Sequence, residues 1–266
     1  MTQSVSEVLL SPTKTREKMV RICEHCGNTV EPFEGEIFGQ KRFLPVACPC
    51  EIKRYEEAVK DQEQRYKIRR IEKLFGQSQL GPKFKESTFK TWEQLPGTQA
   101  ILKEAVEFVK EFRWKKGEGL LFYGNPGNGK SHLAAAMVNA VIPMGVAAVF
   151  QVVPDLIAKI NKAAQNFNSD DNRVIDLLCE ADLVVLDDLG AERLNERNQE
   201  TIYRIINSIY INKKSLIITT NADVESELED RIGGRIYDRV IEMCRIVKNK
   251  GFSYRRKIAV ERMKAE

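Results

Sequence analysis

The sequence has no long apolar run, no strong net charge and no internal repeat. Its apolar stretches stay well short of the roughly 20 residues that a membrane-spanning helix needs. The first residues lack the basic start and apolar block of a secretion signal. We therefore expect a cytoplasmic protein with no membrane partner, and 266 residues are enough for one large or two modest domains. A net charge of +4 indicates little about nucleic acid.

The six cysteines are unevenly distributed along the chain. Four of the six cysteines lie between residues 23 and 50, and in a cytoplasmic protein such a cluster favours a metal site over disulfides. Cys23 and Cys26 form a C-x₂-C pair, and Cys48 and Cys50 a tighter C-x-C pair. Four thiolates would make a closed, structural Zn²⁺ site. His25 is an alternative ligand for one position, and four reduced cysteines without metal are the other possibility.

The order of patterns along the chain predicts three segments. Residues 1–50 would be a zinc-binding module, 51–78 a helical linker and 79–266 the larger domain, whose motifs are described below. The charged stretch from Glu51 to Leu74 lacks Gly and Pro, which predicts a long exposed helix; a solvated linker is slightly favoured over a docking surface for a partner. Gly76 to Pro82 interrupts this pattern.

Beyond that break, apolar runs alternate with helical stretches. This alternation predicts an α/β fold with a parallel five-stranded sheet covered by helices on both faces. The five predicted strands are Leu120–Tyr123, Val146–Val153, Leu183–Leu186, Leu216–Thr220 and Met243–Val247.

The first of these strands leads into a glycine-rich loop and the start of a helix. The loop matches G-x-x-x-x-G-K-[ST], in which backbone N–H groups surround a triphosphate. Lys130 would then reach the β- and γ-phosphates, and the Ser131 hydroxyl would ligate Mg²⁺. An ordinary glycine turn is the alternative. The predicted nucleotide-binding residues are Gly124, Asn125, Pro126, Gly127, Asn128, Gly129, Lys130, Ser131 and His132.

Polar side chains follow two of the other predicted strands. Asp187 and Asp188 come at the end of an apolar strand, where the first would hold Mg²⁺ and the second would polarise the attacking water. Two acids that simply end a buried strand are the alternative. Asn221 follows the next strand and would orient that water, although an Asn in this position is often only a turn residue.

Several motifs in a fixed order resemble those of DnaC-type replicative helicase loaders of the AAA+ class and the closely akin IstB-type transposition helper ATPases. The resemblance covers about residues 80–260. It lies in residues 124–136, 184–190, 219–221, 233–240 and 252–255.

The resemblance also implies roles for basic residues that lie outside the glycine-rich loop and the acidic pair. Arg239 occupies the arginine-finger position, which reaches the γ-phosphate bound by a neighbouring subunit, with Arg235 as the substitute candidate. Arg255 occupies the sensor 2 position. A surface ion pair is the alternative for each. Three basic residues before the acidic strand would contact single-stranded DNA, with a solvated basic face as an equal alternative: Lys159, Lys162 and Arg173.

A zinc module before the ATPase resembles loaders of phage and Gram-positive type. The implied function is an ATP-dependent loader whose N-terminal domain binds a hexameric, DnaB-like replicative helicase. ATP, Mg²⁺ and self-association through the ATP site would form a switch that delivers the helicase onto single-stranded DNA. The alternatives are a transposition helper that acts on duplex DNA and a nucleotide-gated binding protein with negligible hydrolysis.

Overall fold

The computed structural model of the protein describes residues 19–37, 39–75, 82–112, 117–165 and 171–265. The chain divides into two compact units, Met1–Glu63 and Gln64–Glu266. The predicted boundaries at residues 50 and 78 stay predictions. The predicted break from Gly76 to Pro82 lies, apart from Pro82, outside the described residues. Among the helices that the structure describes, none combines the length and the apolar character needed to cross a membrane.

The smaller unit contains two short antiparallel sheets and the start of a helix. Strand β1 (Arg21–Ile22) pairs with β2 (Thr29–Val30), and β3 (Phe33–Ile37) pairs with β4 (Gln40–Leu44). Its buried apolar cluster consists of Cys23, Val30 and Cys48, with Cys50 packed against it. So small a core contributes little stability, and small domains of this kind commonly depend on a metal or disulfides.

A single helix, α1 (Pro49–Phe75), runs across the division between the units. Its first half is mostly exposed, as a solvated linker would be. From Gln64 onward the helix packs on the larger unit: Gln64 Nε2 and Lys67 Nζ lie 2.7 and 2.6 Å from the carboxylate oxygens of Asp182, and Ile71 is buried in its core. The second half of α1 is therefore part of the larger unit.

The larger unit is built on a parallel sheet of five strands in the order β6-β7-β8-β5-β9. Its strands are β5 (Gly119–Gly124), β6 (Ala148–Val152), β7 (Leu183–Asp187), β8 (Ser215–Thr220) and β9 (Cys244–Asn249). Apolar clusters cover both faces of the sheet, which explains why the strands read as continuous apolar runs. The predicted fold class is confirmed, and each predicted strand overlaps an observed one.

Helices connect and flank these strands. They are α2 (Pro82–Lys85), α3 (Gln99–Glu111), α4 (Lys130–Val141), α5 (Val153–Gln165), α6 (Asp171–Glu180), α7 (Glu196–Ile211), α8 (Leu228–Ile232), α9 (Gly234–Met243) and α10 (Tyr254–Ala265). Two of them, α5 and α6, lie between β6 and β7.

Candidate nucleotide-binding site

Three neighbouring strands bring the predicted site residues to one edge of the sheet. β8 lies between β7 and β5, and all three are parallel. Their carboxyl ends therefore meet at the same edge, which is where ligands bind in open α/β sheets. The glycine-rich loop follows β5, the acidic pair ends β7, and Asn221 follows β8.

The loop after β5 adopts a backbone that requires glycine at defined positions. Gly129 has φ +95°, and a Cβ atom there would lie 2.7 Å from the indole of Trp92. At Gly124, φ is +136° and a Cβ atom would collide with the backbone carbonyl of Asn249. Such positive φ angles are costly for other residues. Gly129 is also the N-cap of α4, whose first residue is Lys130, so the positive end of this helix faces the loop.

The Lys130 ammonium is surrounded by neutral oxygen atoms. Nζ donates to the carbonyls of Gly124 and Asn125 at 2.8 and 2.9 Å, and to Oδ1 of Asn128 and Asn221 at 3.2 and 2.8 Å. Burial lowers the Lys130 pKa to about 8, although the charges of the two nearby aspartates oppose this shift. A partly buried ammonium whose hydrogen bonds, among the described residues, all go to neutral oxygen atoms is suited to bind an anionic group.

Asp187 is a buried carboxylate held by hydroxyl groups. Thr219 Oγ1 donates to Asp187 Oδ1 at 2.5 Å and accepts the backbone N–H of Asp188 at 3.0 Å. Burial raises the Asp187 pKa to about 6, although hydrogen bonds from Thr219 and Ser131 act to lower it. Sequence reasoning missed the role of Thr219, for which the only signal is a hydroxyl side chain in an apolar strand.

Asn221 connects the lysine to the second acid. Its Nδ2 donates to Asp188 Oδ1 at 3.1 Å, while its Oδ1 accepts from Lys130. Asp188 itself has φ +58°, a left-handed conformation that is uncommon outside glycine. The structure thus brings Lys130, Asp188 and Asn221 into one hydrogen-bonded network, with Asp187 and Ser131 beside it.

A cleft of about 270 Å³ opens over this network. Its walls include Arg255 and His132, both predicted site residues, and Trp92. The rings of Trp92 and His132 lie 5.8 Å apart. Burial lowers the pKa of His132, which favours its neutral form. Within the described residues, Trp92 Nε1 is buried without a hydrogen-bond partner.

The two other predicted arginines do not line this cleft. Arg239 and Arg235 both lie on α9, where their guanidinium carbons sit 4.4 and 4.1 Å from the rings of Tyr210 and Tyr203 on α7. Arg239 also forms an ion pair of 2.8 Å with Glu242. The structure therefore separates Arg239 from the nucleotide cleft of its own chain.

The predicted DNA contacts lie on α5 and α6. Lys159 and Lys162 are exposed on α5, and Arg173 falls within α6. Their predicted role stays a prediction. Phe167, the aromatic residue of this segment, lies outside the described residues.

The four N-terminal cysteines form a second candidate site, confined to the smaller unit. All four Sγ atoms lie within 4.8 Å of one another, and Sγ of Cys23 and Cys50 are 3.4 Å apart. A tetrahedral Zn²⁺ with Zn–S bonds of about 2.3 Å needs sulfur atoms roughly 3.8 Å apart, so the cluster fits such an ion. His25 is exposed and lies outside the cluster.

Polar contacts position these cysteines. Gly27, with φ +71°, donates its N–H to the Cys23 carbonyl at 2.9 Å and closes the turn. Glu51 accepts the N–H of Cys48 at 2.7 Å and also pairs with the guanidinium of Arg21. This pairing connects β1 to the start of α1, and sequence reasoning identified neither Arg21 nor Glu51.

The sheet order, the glycine-rich loop and the paired acids define the larger unit as a P-loop ATPase of the AAA+ class. A sequence profile of the family described as "IstB-like ATP binding protein" matches residues 52–262. The chain belongs to this family.

Relatives and solved structures agree with this assignment. An uncharacterized protein named YdaV of Escherichia coli K12 is 28% identical over 172 residues, covering 64% of this chain and 68% of that protein. Replicative helicase loader DnaC of the same strain is 25% identical over 179 residues, covering 67% and 72%. A crystal structure of the DnaC helicase loader is 30% identical with a TM-score of 0.59, covering 64% of this chain and all of that one.

Proposed function

We propose that this protein is an ATP-dependent loader for a hexameric, DnaB-like replicative helicase. In this proposal the smaller unit binds the helicase, and the ATPase unit controls assembly and release. Hydrolysis would then deliver the helicase onto single-stranded DNA. The proposal draws on the similarity to DnaC over the ATPase unit. The observation that carries it is a separate four-cysteine unit attached by α1 to that ATPase.

Each side chain at the sheet edge has a proposed part in ATP hydrolysis. Lys130 binds the β- and γ-phosphates, and its displacement from Asn221 frees the amide to orient the attacking water. Asp188 polarises that water. Arg255, in the wall of the cleft, contacts the γ-phosphate from the same chain. Planar guanidinium groups stabilise charge on phosphoryl oxygens better than an ammonium does.

Two metal ions fit the residues present. Ser131 and the buried Asp187 offer the oxygen ligands that Mg²⁺ prefers, and Mg²⁺ when bound neutralises phosphate charge. The four clustered thiols would hold Zn²⁺ in a closed site with no open position for catalysis, so its role would be to maintain the fold of the smaller unit.

The proposed switch requires a second copy of the chain. Arg239 lies away from its own cleft, so we propose that it completes the ATP site of a neighbouring subunit. ATP would then favour the assembled state, and hydrolysis would weaken it. Lys159, Lys162 and Arg173 are proposed to face the phosphates of single-stranded DNA, which would make that binding salt-dependent.

The test is complex formation between the full-length protein and the replicative helicase of the same organism, measured by mass photometry with ATP. We expect a complex with wild type. Cys50→Ser should lose the complex while keeping ATP binding, whereas Cys179→Ser, outside the cluster, should keep both. If the wild-type protein forms no complex with the helicase, the loader proposal is wrong.

A second function is favoured by the family that matches the chain, whose description names IstB. Under this alternative the protein assembles on duplex DNA and assists a transposase. The same samples can be tested on duplex and single-stranded DNA by electron microscopy. ATP-dependent assembly on duplex DNA without helicase binding would favour the transposition helper.

A further inference from the structure

On the surface of the larger unit, the side chains of Arg239, Tyr210 and Glu242 form a connected cluster. Tyr210 Oη donates to Glu242 Oε1 at 2.6 Å, and Arg239 Nη1 donates to Glu242 Oε2 at 2.8 Å. The guanidinium carbon of Arg239 also lies 4.4 Å from the centroid of the Tyr210 ring. Each carboxylate oxygen of Glu242 thus accepts one donor, and the ring supports the guanidinium. The side chain of Arg239 is held at two places.

The same contacts leave part of the guanidinium available. Among the described residues, the ion pair with Glu242 uses Nη1 of Arg239, and the Arg239 side chain is 33% exposed. A planar guanidinium matches the oxygen atoms of a phosphate. Arg239 is therefore both restrained and accessible to an anion from outside its own chain.

Arg235, one helical turn earlier, provides an internal comparison. It lies 4.1 Å from the ring of Tyr203, but its carboxylate partner Glu200 is 3.9 Å away and its side chain is 73% exposed. It has no hydrogen bond to that carboxylate within the described residues. A long side chain that is free before binding loses more rotamer entropy when it becomes fixed. Of the two arginines, Arg239 is therefore the one that is preorganised to bind an anion.

We infer that Tyr210 and Glu242 are positioning residues that hold Arg239 ready for the γ-phosphate of an ATP molecule bound by a second copy of this chain. The inference rests on the proposed role of Arg239 in the neighbouring site. Neither Tyr210 nor Glu242 touches the nucleotide. Their effect is to fix the guanidinium where charge develops on the γ-phosphoryl oxygens, so they act on the rate of hydrolysis more than on ATP affinity.

The test uses two inactive variants of the full chain that complement each other. Asp188→Asn retains Arg239 but lacks its own catalytic acid, so it serves as the arginine donor. Arg239→Ala retains a complete cleft but lacks the guanidinium, so it serves as the site donor. Each alone should hydrolyse little ATP, and an equimolar mixture should recover activity. If the mixture recovers no activity, the proposed role of Arg239 itself is wrong. This outcome is separate from the outcomes of the Glu242 and Tyr210 variants, which require a mixture that recovers activity.

Glu242→Gln is then introduced into one partner at a time. In the arginine donor it should lower the recovered kcat about three- to tenfold, as expected when a charge-assisted hydrogen bond becomes a neutral one of about half its strength, with KM unchanged. In the site donor it should have no effect. Tyr210→Phe, which keeps the ring and loses the hydroxyl, should give the same asymmetry with a smaller loss.

Glu200→Gln is the matched control, because Glu200 stands beside Arg235 as Glu242 stands beside Arg239. It should leave recovery unchanged in either partner. Equal losses in both placements would indicate a structural role, and no loss would indicate that Arg239 needs no support. A gain in activity would indicate that Glu242 keeps Arg239 away from the neighbouring ATP site. Each of these three results overturns the inference.

Discussion

Replacing the buried Asp187 by Asn should stabilise the nucleotide-free protein. Burial raises the pKa of Asp187 from 3.8 to about 6, so the folded state binds this proton more tightly than the unfolded state does. Stability is therefore lost as the pH rises from about 4 to about 6, and the loss persists above that range. At about 1.4 kcal/mol per pKa unit, the cost of the charged form is about 3 kcal/mol. The neutral amide avoids this cost and still accepts from Thr219.

The assay is urea unfolding of the larger unit at pH 5.0, 6.0 and 7.5, in magnesium-free and nucleotide-free buffer. We expect the free energy of unfolding of Asp187→Asn to exceed that of wild type by up to about 3 kcal/mol at pH 7.5, and by about half as much at pH 5.0. With ATP and Mg²⁺ present, wild type should gain stability by ligand binding and the variant should gain much less.

Asp182→Asn is a control in which the sign reverses. Burial acts to raise the pKa of Asp182, but hydrogen bonds from Lys67 and Gln64 outweigh it and the pKa is lowered. Removing this charge should therefore destabilise the protein at neutral pH. The reasoning about Asp187 is refuted if Asp187→Asn is less stable than wild type at pH 7.5, or if the difference between them does not change with pH.

Three further predictions concern the zinc cluster, the loop and α1. Purified wild type should contain about one zinc per chain by mass spectrometry of the metal, and Cys26→Ser should contain less than about one third of that, because a closed site needs four ligands. Gly129→Ala should weaken ATP binding at least about tenfold by calorimetry, because the new methyl group meets Trp92 and φ is positive. Ile71→Ala should lower the free energy of unfolding of the larger unit by about 2–4 kcal/mol, measured in urea, because it leaves a cavity in the core.

Each of these variants has a matched control. Cys179→Ser should keep its zinc, and a similar loss in both cysteine variants would contradict the proposed ligand set. Gly145→Ala shares a positive φ but has nothing within 4 Å of the new Cβ, so unchanged ATP binding is expected. Ile52→Ala, at an exposed position, should change stability by less than about 0.5 kcal/mol. If Ile71→Ala is equally mild, α1 does not contribute to the core of the larger unit.

Much of the ATPase fold follows from the sequence because its strands are buried on both faces. A continuous apolar run such as Leu183–Leu186 marks a strand of a parallel sheet, and the polar residue after it marks the sheet edge. The strand order brings the residues at the ends of these strands together, because β8 lies between β5 and β7. The position of Asn221 between Lys130 and Asp188 is a consequence of that order.

The features that sequence reasoning missed depend on contacts between distant residues. Glu51 was interpreted as part of a charged helix, yet it caps that helix and pairs with Arg21, 30 residues earlier. Strands β1 and β2 have only two residues each, and β3 and β4 contain no buried residue, so none of the four leaves a continuous apolar run in the sequence. The packing of the second half of α1 was missed because its buried residue, Ile71, lies in a sequence dominated by charged residues.

The position of Trp92 has a practical consequence for spectroscopy. Its indole lies against Gly129 in the wall of the cleft, and indole emission depends on the polarity around the ring. The chain has two tryptophans, and Trp114→Phe would leave Trp92 as its sole tryptophan. The protein thus carries a built-in fluorophore at its nucleotide cleft, through which binding and release of unmodified ATP can be followed in real time without a label.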